Sequence, residues 1–257
     1  IKNTVGSQYQ HLILSGSGTK TLAAETEILG NLSIDGVTLA SNNLNLTLGG
    51  NWTNTGTFTE GSATVTANGT ADQTVTNTSG ETFNNLTINK SSGSFTLAND
   101  INITNTLTMT LGNINTGANV LTLGDNSIAT GTLSRAGGHI VGNFSRWIRD
   151  DSDGTEFLFP LGDGTTYYPL EFAAPAIDPA SGGTLTASFS ATDPGSTGLP
   201  TGDDGSGNAV ENAFSEGFWT MTAANGLVAA TYDLDVTATG FDDFVIDTDT
   251  RLITRLI

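Results

Sequence analysis

The chain has 257 residues, of which only 13% are charged; it contains no cysteine, and its net charge is −18. That length holds one large or two ordinary β domains with a proper core, and the lack of thiols excludes disulfide support. The acidic balance excludes nucleic acid and anionic membrane surfaces as electrostatic partners, and no apolar run is long enough for a transmembrane segment.

In chain order, Ile1–Val5 reads as a lead-in strand. Tyr9–Gly50 and Phe83–Gly124 then share one texture: short apolar–polar–apolar triplets separated by Asn, Gly, Asp and Ser. The apolar positions superimpose at an offset of about 75 residues, so that Leu12, Leu14, Ile28, Leu32 and Leu46 fall on Leu86, Ile88, Ile103, Leu107 and Leu123. Between the two copies, Thr57–Thr59, Ala63–Ala67 and Gln73–Thr76 read as further strands. Period-two alternation broken by turn residues marks short half-buried strands. With no helical period between them, βαβ units are excluded.

The pattern therefore predicts a parallel β-helix, in which each coil of about twenty residues lays three strands on the coil below. Inward Leu, Ile and Val would stack in columns, with Asn in the turns. Leu86, Ile88, Leu107, Met109, Leu121 and Leu123 are expected to point inward. The competing layout, a pair of antiparallel sandwiches, would show longer strands and hairpin dipeptides.

Texture and charge change together near Gly142–Arg149. Residues 1–145 carry 8 acids and 4 bases, whereas residues 146–257 carry 18 acids, 4 bases and all six prolines. The expected domains are 1–145, a β-helix, and 146–257, an antiparallel β-sandwich. Strands are expected at Glu156–Phe159, Tyr167–Phe172, Gly183–Ala191, Phe218–Thr222, Thr231–Thr239, Phe244–Ile246 and Leu252–Ile257.

The segments GNWTNTGTF, TFNNLTIN, SFTLANDINITNTLTM and NVLTLG resemble the repeats of very large surface proteins exported by gliding Gram-negative bacteria. HIVGNFSRWI followed by EFLFPLGDGTTYYPLEF resembles the segment that often follows those repeats. The resemblance implies a secreted, modular, non-catalytic bacterial protein, extracellular or at the cell surface. Such proteins often carry a C-terminal sorting domain. None is visible, so the chain is expected to continue beyond Ile257.

Catalytic signatures are absent from the sequence. His11 and His139 lie in different segments, neither beside a Cys or a paired acid at ligand spacing. Polysaccharide lyases also use β-helices, but their chemistry needs a base clustered with calcium-binding acids. Lys2, Lys20, Lys90 and Arg135 are scattered. Glu25 and Glu27 share a strand face, the usual setting of solvated acids. Trp52, Trp147 and Trp219 read as core or interface packing more readily than as sugar platforms.

The acid clusters are the candidate metal ligands, with calcium as the ion. Asp150, Asp151 and Asp153 lie in RDDSDG, which fails as an EF-hand because Arg149 holds the first ligand position and no Glu follows at the required distance. Asp203 and Asp204 form a second cluster. Asp242 and Asp243, with Asp247 and Asp249, form the third.

The function expected is that of an extracellular structural protein, a subunit of a surface filament or adhesin, partnered by copies of itself and by surface glycans. Assembly would use terminal strands, through Ile1 and Val5 at one end and Leu252, Ile253, Leu256 and Ile257 at the other. The alternative is a carbohydrate-binding or polysaccharide-cleaving β-helix module.

Overall fold

In an extended chain successive side chains point to opposite faces, so a triplet such as Leu46-Thr47-Leu48 buries its two leucines and turns its threonine outward. One triplet cannot bury its apolar side alone; stacking many in register does so and pairs their backbone groups as well. The computed structural model, which describes residues 8–149, 155–177, 182–201, 209–243, 245–246 and 250–253, has this arrangement and no helix in those residues.

Coil 1 consists of β1 (Gln8–Tyr9), β2 (Leu12–Leu14) and β3 (Thr19–Thr21). Coil 2 has β4 (Thr26–Ile28), β5 (Leu32–Ile34) and β6 (Thr38–Ala40); coil 3 has β7 (Leu46–Leu48), β8 (Trp52–Asn54) and β9 (Thr57–Thr59). From coil 4 the strands lengthen and bend round corners: β10 (Thr64–Ala67), β11 (Gln73–Thr76), β12 (Glu81–Asn89), β13 (Phe95–Leu97), β14 (Ile101–Leu111), β15 (Ile114–Leu123), β16 (Thr132–Arg135) and β17 (Ile140–Ile148).

All ladders among these strands are parallel. The first face runs β1, β4, β7, β10, then the later halves of β12 and β14, then β16. The second runs β2, β5, β8, β11, β13 and the starts of β15 and β17. The third is β3, β6 and β9, followed after a break by the starts of β12 and β14 and the ends of β15 and β17. Seven coils by three faces make a parallel solenoid, as the triplets predict.

Inward columns follow the ladder register. Ile28, Leu48, Ala67, Ile88 and Met109 stack in one column, and Leu46, Val65, Leu86 and Leu107 in another. Leu86, Ile88, Leu107, Met109, Leu121 and Leu123 are all at most 1% exposed. Turn side chains tie each coil to the next: Asn31 Oδ1 accepts the Asn51 N–H, Asn51 Oδ1 that of Thr74, and Asn45 Oδ1 that of Thr64. Each bond satisfies a donor that the strand ladders leave free at a corner.

The offset of about 75 residues in the sequence is not a whole number of coils. Ladder partners are separated by 19 residues (Phe95 to Ile114) up to 26 (Ile114 to Ile140). Leu12 and Leu32 lie on the second face, whereas their sequence counterparts Leu86 and Leu107 lie on the first. The offset therefore spans about three and two-thirds coils, and the structural repeat is the single coil.

The expected boundary near residue 145 falls inside a strand. On one side β17 pairs in parallel with β15; on the other it pairs antiparallel with β20 (Gly183–Ser190), Phe144 facing Ala187 and Ile148 facing Gly183. A second antiparallel sheet joins β18 (Glu156–Phe159), β19 (Leu170–Ile177) and β22 (Ala229–Val236), while β21 (Phe218–Ala224) extends the first sheet beyond β20. Phe144 meets Phe159 edge-on, and Tyr168, Phe189, Trp219 and Phe241 form an aromatic cluster between the layers. The strand expected at 244–246 is not formed at Val245 and Ile246, nor is that at 252–257 formed over Leu252 and Ile253.

Candidate functional site

Polar side chains enter the inward columns mainly where the third face is interrupted. Asn54 ends the column of Leu14 and Ile34; Gln73 begins that of Phe95 and Ile114; Glu81 begins that of Ile101, Leu121 and Phe144. No ladder joins β9 to Glu81–Phe83 among the described residues, so this layer replaces ladder hydrogen bonds with side-chain ones. Glu81 Oε2 accepts from Trp52 Nε1 at 2.7 Å, Asn54 Nδ2 at 2.9 Å and Asn77 Nδ2 at 3.4 Å. Burial pushes the Glu81 carboxyl up despite these donors.

Lys90 holds a separate buried network and is 1% exposed. Its ammonium donates to Gly69 O at 2.7 Å and to Ala71 O and Gln73 Oε1, each at 2.8 Å, which accounts for all three of its protons. Gln73 in turn donates to Leu48 O and Gly50 O. Burial lowers the Lys90 pKa, and Asp72 opposes that shift. This network holds structure; its donors and acceptors are turned on one another, leaving nothing directed at a substrate.

Arg146 ends the inward column of Phe83, Ile103 and Leu123. It donates to Leu158 O at 3.0 Å and lies over the Phe157 ring at 5.2 Å, while its Nε has no partner. Burial lowers its pKa to about 10, so it stays charged at neutral pH.

The expected metal ligands divide. Asp150, Asp151, Asp153, Asp203, Asp204, Asp247 and Asp249 lie outside the described residues, as do Ile1, Val5, Leu256 and Ile257. Asp242 and Asp243 meet a partner the sequence did not suggest, Glu216, with one oxygen from each within 4.8 Å of the others. Glu216 Oε1 already accepts from the backbones of Asp242 and Asp243, and Asp243 Oδ2 accepts from Ser215 N at 2.8 Å. Hydrogen bonding from Ser215 lowers the Asp243 pKa. Calcium takes six to eight oxygens, so three carboxylates with two oxygens engaged form only part of a coordination shell.

A second acidic group lines an open pocket of about 330 Å³ on the outer face of the β18–β19–β22 sheet: Glu156, Glu171, Asp233 and Asp235. Glu171 and Asp235 stand directly opposite each other, a like-charge pairing that costs stability in a sheet.

No protein-family model, no curated protein and no solved structure matches the chain.

Trp52 is buried against Phe58 and Phe83, and Trp219 donates from its indole to Tyr168 O at 3.0 Å, so both serve packing. Glu25 accepts from Asn45, and Glu27 from Gln8, each on the neighbouring coil. His11 Nδ1 accepts the Asn31 N–H at 3.0 Å in an exposed turn of coil 1, far along the solenoid from His139 at its last coil. The outward columns of the first face contain Thr47, Thr66, Thr87, Thr108 and Ser134, with Asn45, Thr64, Asn85, Thr106 and Thr132 beside them; these positions, from the third coil onward, are uncharged, whereas the coil before them carries Glu25 and Glu27. Glu216, Glu81, Lys90 and the burial of His139 have no local sequence signal, since each depends on a partner a coil or more away.

Proposed function

We propose that the protein is an extracellular structural module, a subunit of a bacterial cell-surface filament or adhesin, without catalytic activity. The observation that carries this reading is the seven-coil solenoid fused to the antiparallel layers through the shared strand β17. At ~4.8 Å per strand spacing, seven coils make a stiff rod about 30 Å long. A rod without a hinge at its junction suits a spacer that transmits position or force.

Assembly with copies of itself, through the segments Ile1–Val5 and Arg251–Ile257, extends this reading. The test is electron microscopy of the purified chain and of two deletions, residues 1–5 and residues 251–257. Continuous fibres lost on either deletion support terminal assembly. A strict monomer at high concentration overturns it.

The Thr and Asn columns, uncharged from the third coil onward, favour a second reading, contact with neutral polyhydroxylated surfaces such as glycans. A glycan array with and without calcium tests it. Binding abolished by Thr66→Lys and Thr87→Lys would place the contact on the first face.

A further inference from the structure

The last coil and the antiparallel unit meet at a loop, Asp163–Thr166, held on the solenoid by Gly164 alone in two places. Gly164 N–H donates to His139 Nε2 at 3.2 Å, and Gly164 O accepts from Asn113 Nδ2 at 3.1 Å. Both partners are themselves fixed. His139 N donates to Asn113 Oδ1 at 3.0 Å, and its carbonyl accepts from Ile114 N. The loop is internally tied, because Asp163 Oδ1 accepts from the backbones of Thr165 and Thr166. Pro160, Leu161 and Gly162 run beside Ile140 as the start of an eighth, incomplete coil.

A backbone N–H can only donate, so the contact requires Nε2 to be unprotonated: the His139 ring is neutral, with its proton on Nδ1. A proton on Nε2 would set two N–H groups against each other in a site where the histidine is 7% exposed. We propose that the His139–Gly164 contact is an acid-sensitive latch that holds the Asp163–Thr166 loop to the end of the solenoid at neutral pH and releases it in mild acid.

The charged groups facing the ring are Asp163 from the loop and Arg135 from β16. Burial is the largest influence and lowers the ring's pKa; Asp163 opposes it, and Arg135 reinforces it. The Arg135 guanidinium is anchored 3.7 Å above the Tyr167 ring and bonded to Gly138 O, and Glu171 lies near Tyr167. The sign follows from linkage: the open loop leaves the histidine at its ordinary value and so binds more protons than the closed one. Latch stability is complete above about pH 6.5 and falls as pH drops through the open-state value. Pro160 and Gly162 stay bonded to Ile140, and Tyr168 to Leu161, without the ring, so the opening is confined to the loop between them.

The experiment is amide hydrogen exchange of the 160–168 segment from pH 7.5 to 5.0, corrected for intrinsic exchange, on the full chain. Wild-type protection should fall by about tenfold for each pH unit by which burial lowers the ring's pKa, while the segment 84–110 stays unchanged. His139→Gln, whose amide oxygen can accept from Gly164 without titrating, should hold the loop closed across the range. His139→Leu should leave it open at every pH. Nitrogen-15 shifts of the His139 ring give an independent reading, with Nε2 unprotonated at pH 7.5. A pH-independent wild-type loop, a His139→Gln profile matching the wild type, or a ring protonated on Nε2 at neutral pH would each overturn the latch.

Discussion

The Glu81 carboxylate accepts the Trp52 indole N–H at 2.7 Å, across the point where the solenoid's third face is interrupted. Twenty-nine residues separate the two, yet the ring and the acid share one buried network with Asn54 and Asn77. A one-residue slip would turn the inward side chains outward, and a two-residue slip, which keeps them inward, would break these fixed donor–acceptor pairs. The network thus adds a side-chain lock to the two ladders, β7–β10 and β8–β11, that cross from coil 3 to coil 4.

Glu81→Ala should cost about 2–4 kcal/mol, because Trp52 and Asn54 lose their buried acceptor. Glu81→Gln keeps an accepting oxygen and should cost much less at pH 7. Burial raises the Glu81 pKa, so the folded state binds the proton more readily than the unfolded chain. This group's contribution is therefore greatest below the ordinary carboxyl value of 4.5 and is lost as pH rises through the folded value. Wild type should gain on Glu81→Gln as pH is lowered, measured by urea midpoints from pH 7.5 to 4.5. A constant gap between them would contradict the buried carboxylate.

Lys90→Met removes a buried cation and leaves Gly69 O, Ala71 O and Gln73 Oε1 without their donor. The expected loss is about 2–4 kcal/mol in chemical denaturation, with the 69–73 turn gaining exchange before the rest of the rod. Melting at the wild-type temperature would mean that the ammonium contributes nothing net, as some buried charges do.

Leu107 stands in the middle of an inward column, between Leu86 and Leu133, with no exposure. Leu107→Ala should cost about 2–5 kcal/mol through the cavity it leaves. Leu107→Asp, which buries an unpaired charge, should prevent folding of the central coils. Circular dichroism and thermal melts report both, and an unchanged melting temperature for the Asp variant would refute the inward placement.

Two glycines separate close approach from backbone freedom. A Cβ on Gly56 would lie 2.0 Å from Val37 O, the carbonyl that accepts from Thr57 N, so Gly56→Ala forces two coils apart. Gly36 has φ near +64° and open space around it, so Gly36→Ala meets only local strain. Expected losses are about 2–3 kcal/mol for the first and about 1 kcal/mol for the second, read from denaturant midpoints. A reversed order would show that coil spacing at Val37 is soft.

The sequence by itself determined the all-β class, the short triplets, the inward leucines and the change in texture near residue 145. Period two places each side chain on one side of a strand whatever the partner strand, so Leu86, Met109 and Leu123 were legible. It could not determine phase. All three faces use the same apolar–polar–apolar triplet, so an offset of about 75 residues matched Leu12 to Leu86 although they occupy different faces. Tertiary structure alone decided that Glu81 and Lys90 are interior, that Glu216 joins Asp242 and Asp243, and that β17 belongs to both parts of the molecule. In each case the deciding partner is distant in sequence, and a long-range contact leaves no mark on the local pattern of a chain whose turns repeat Asn, Gly, Asp and Ser.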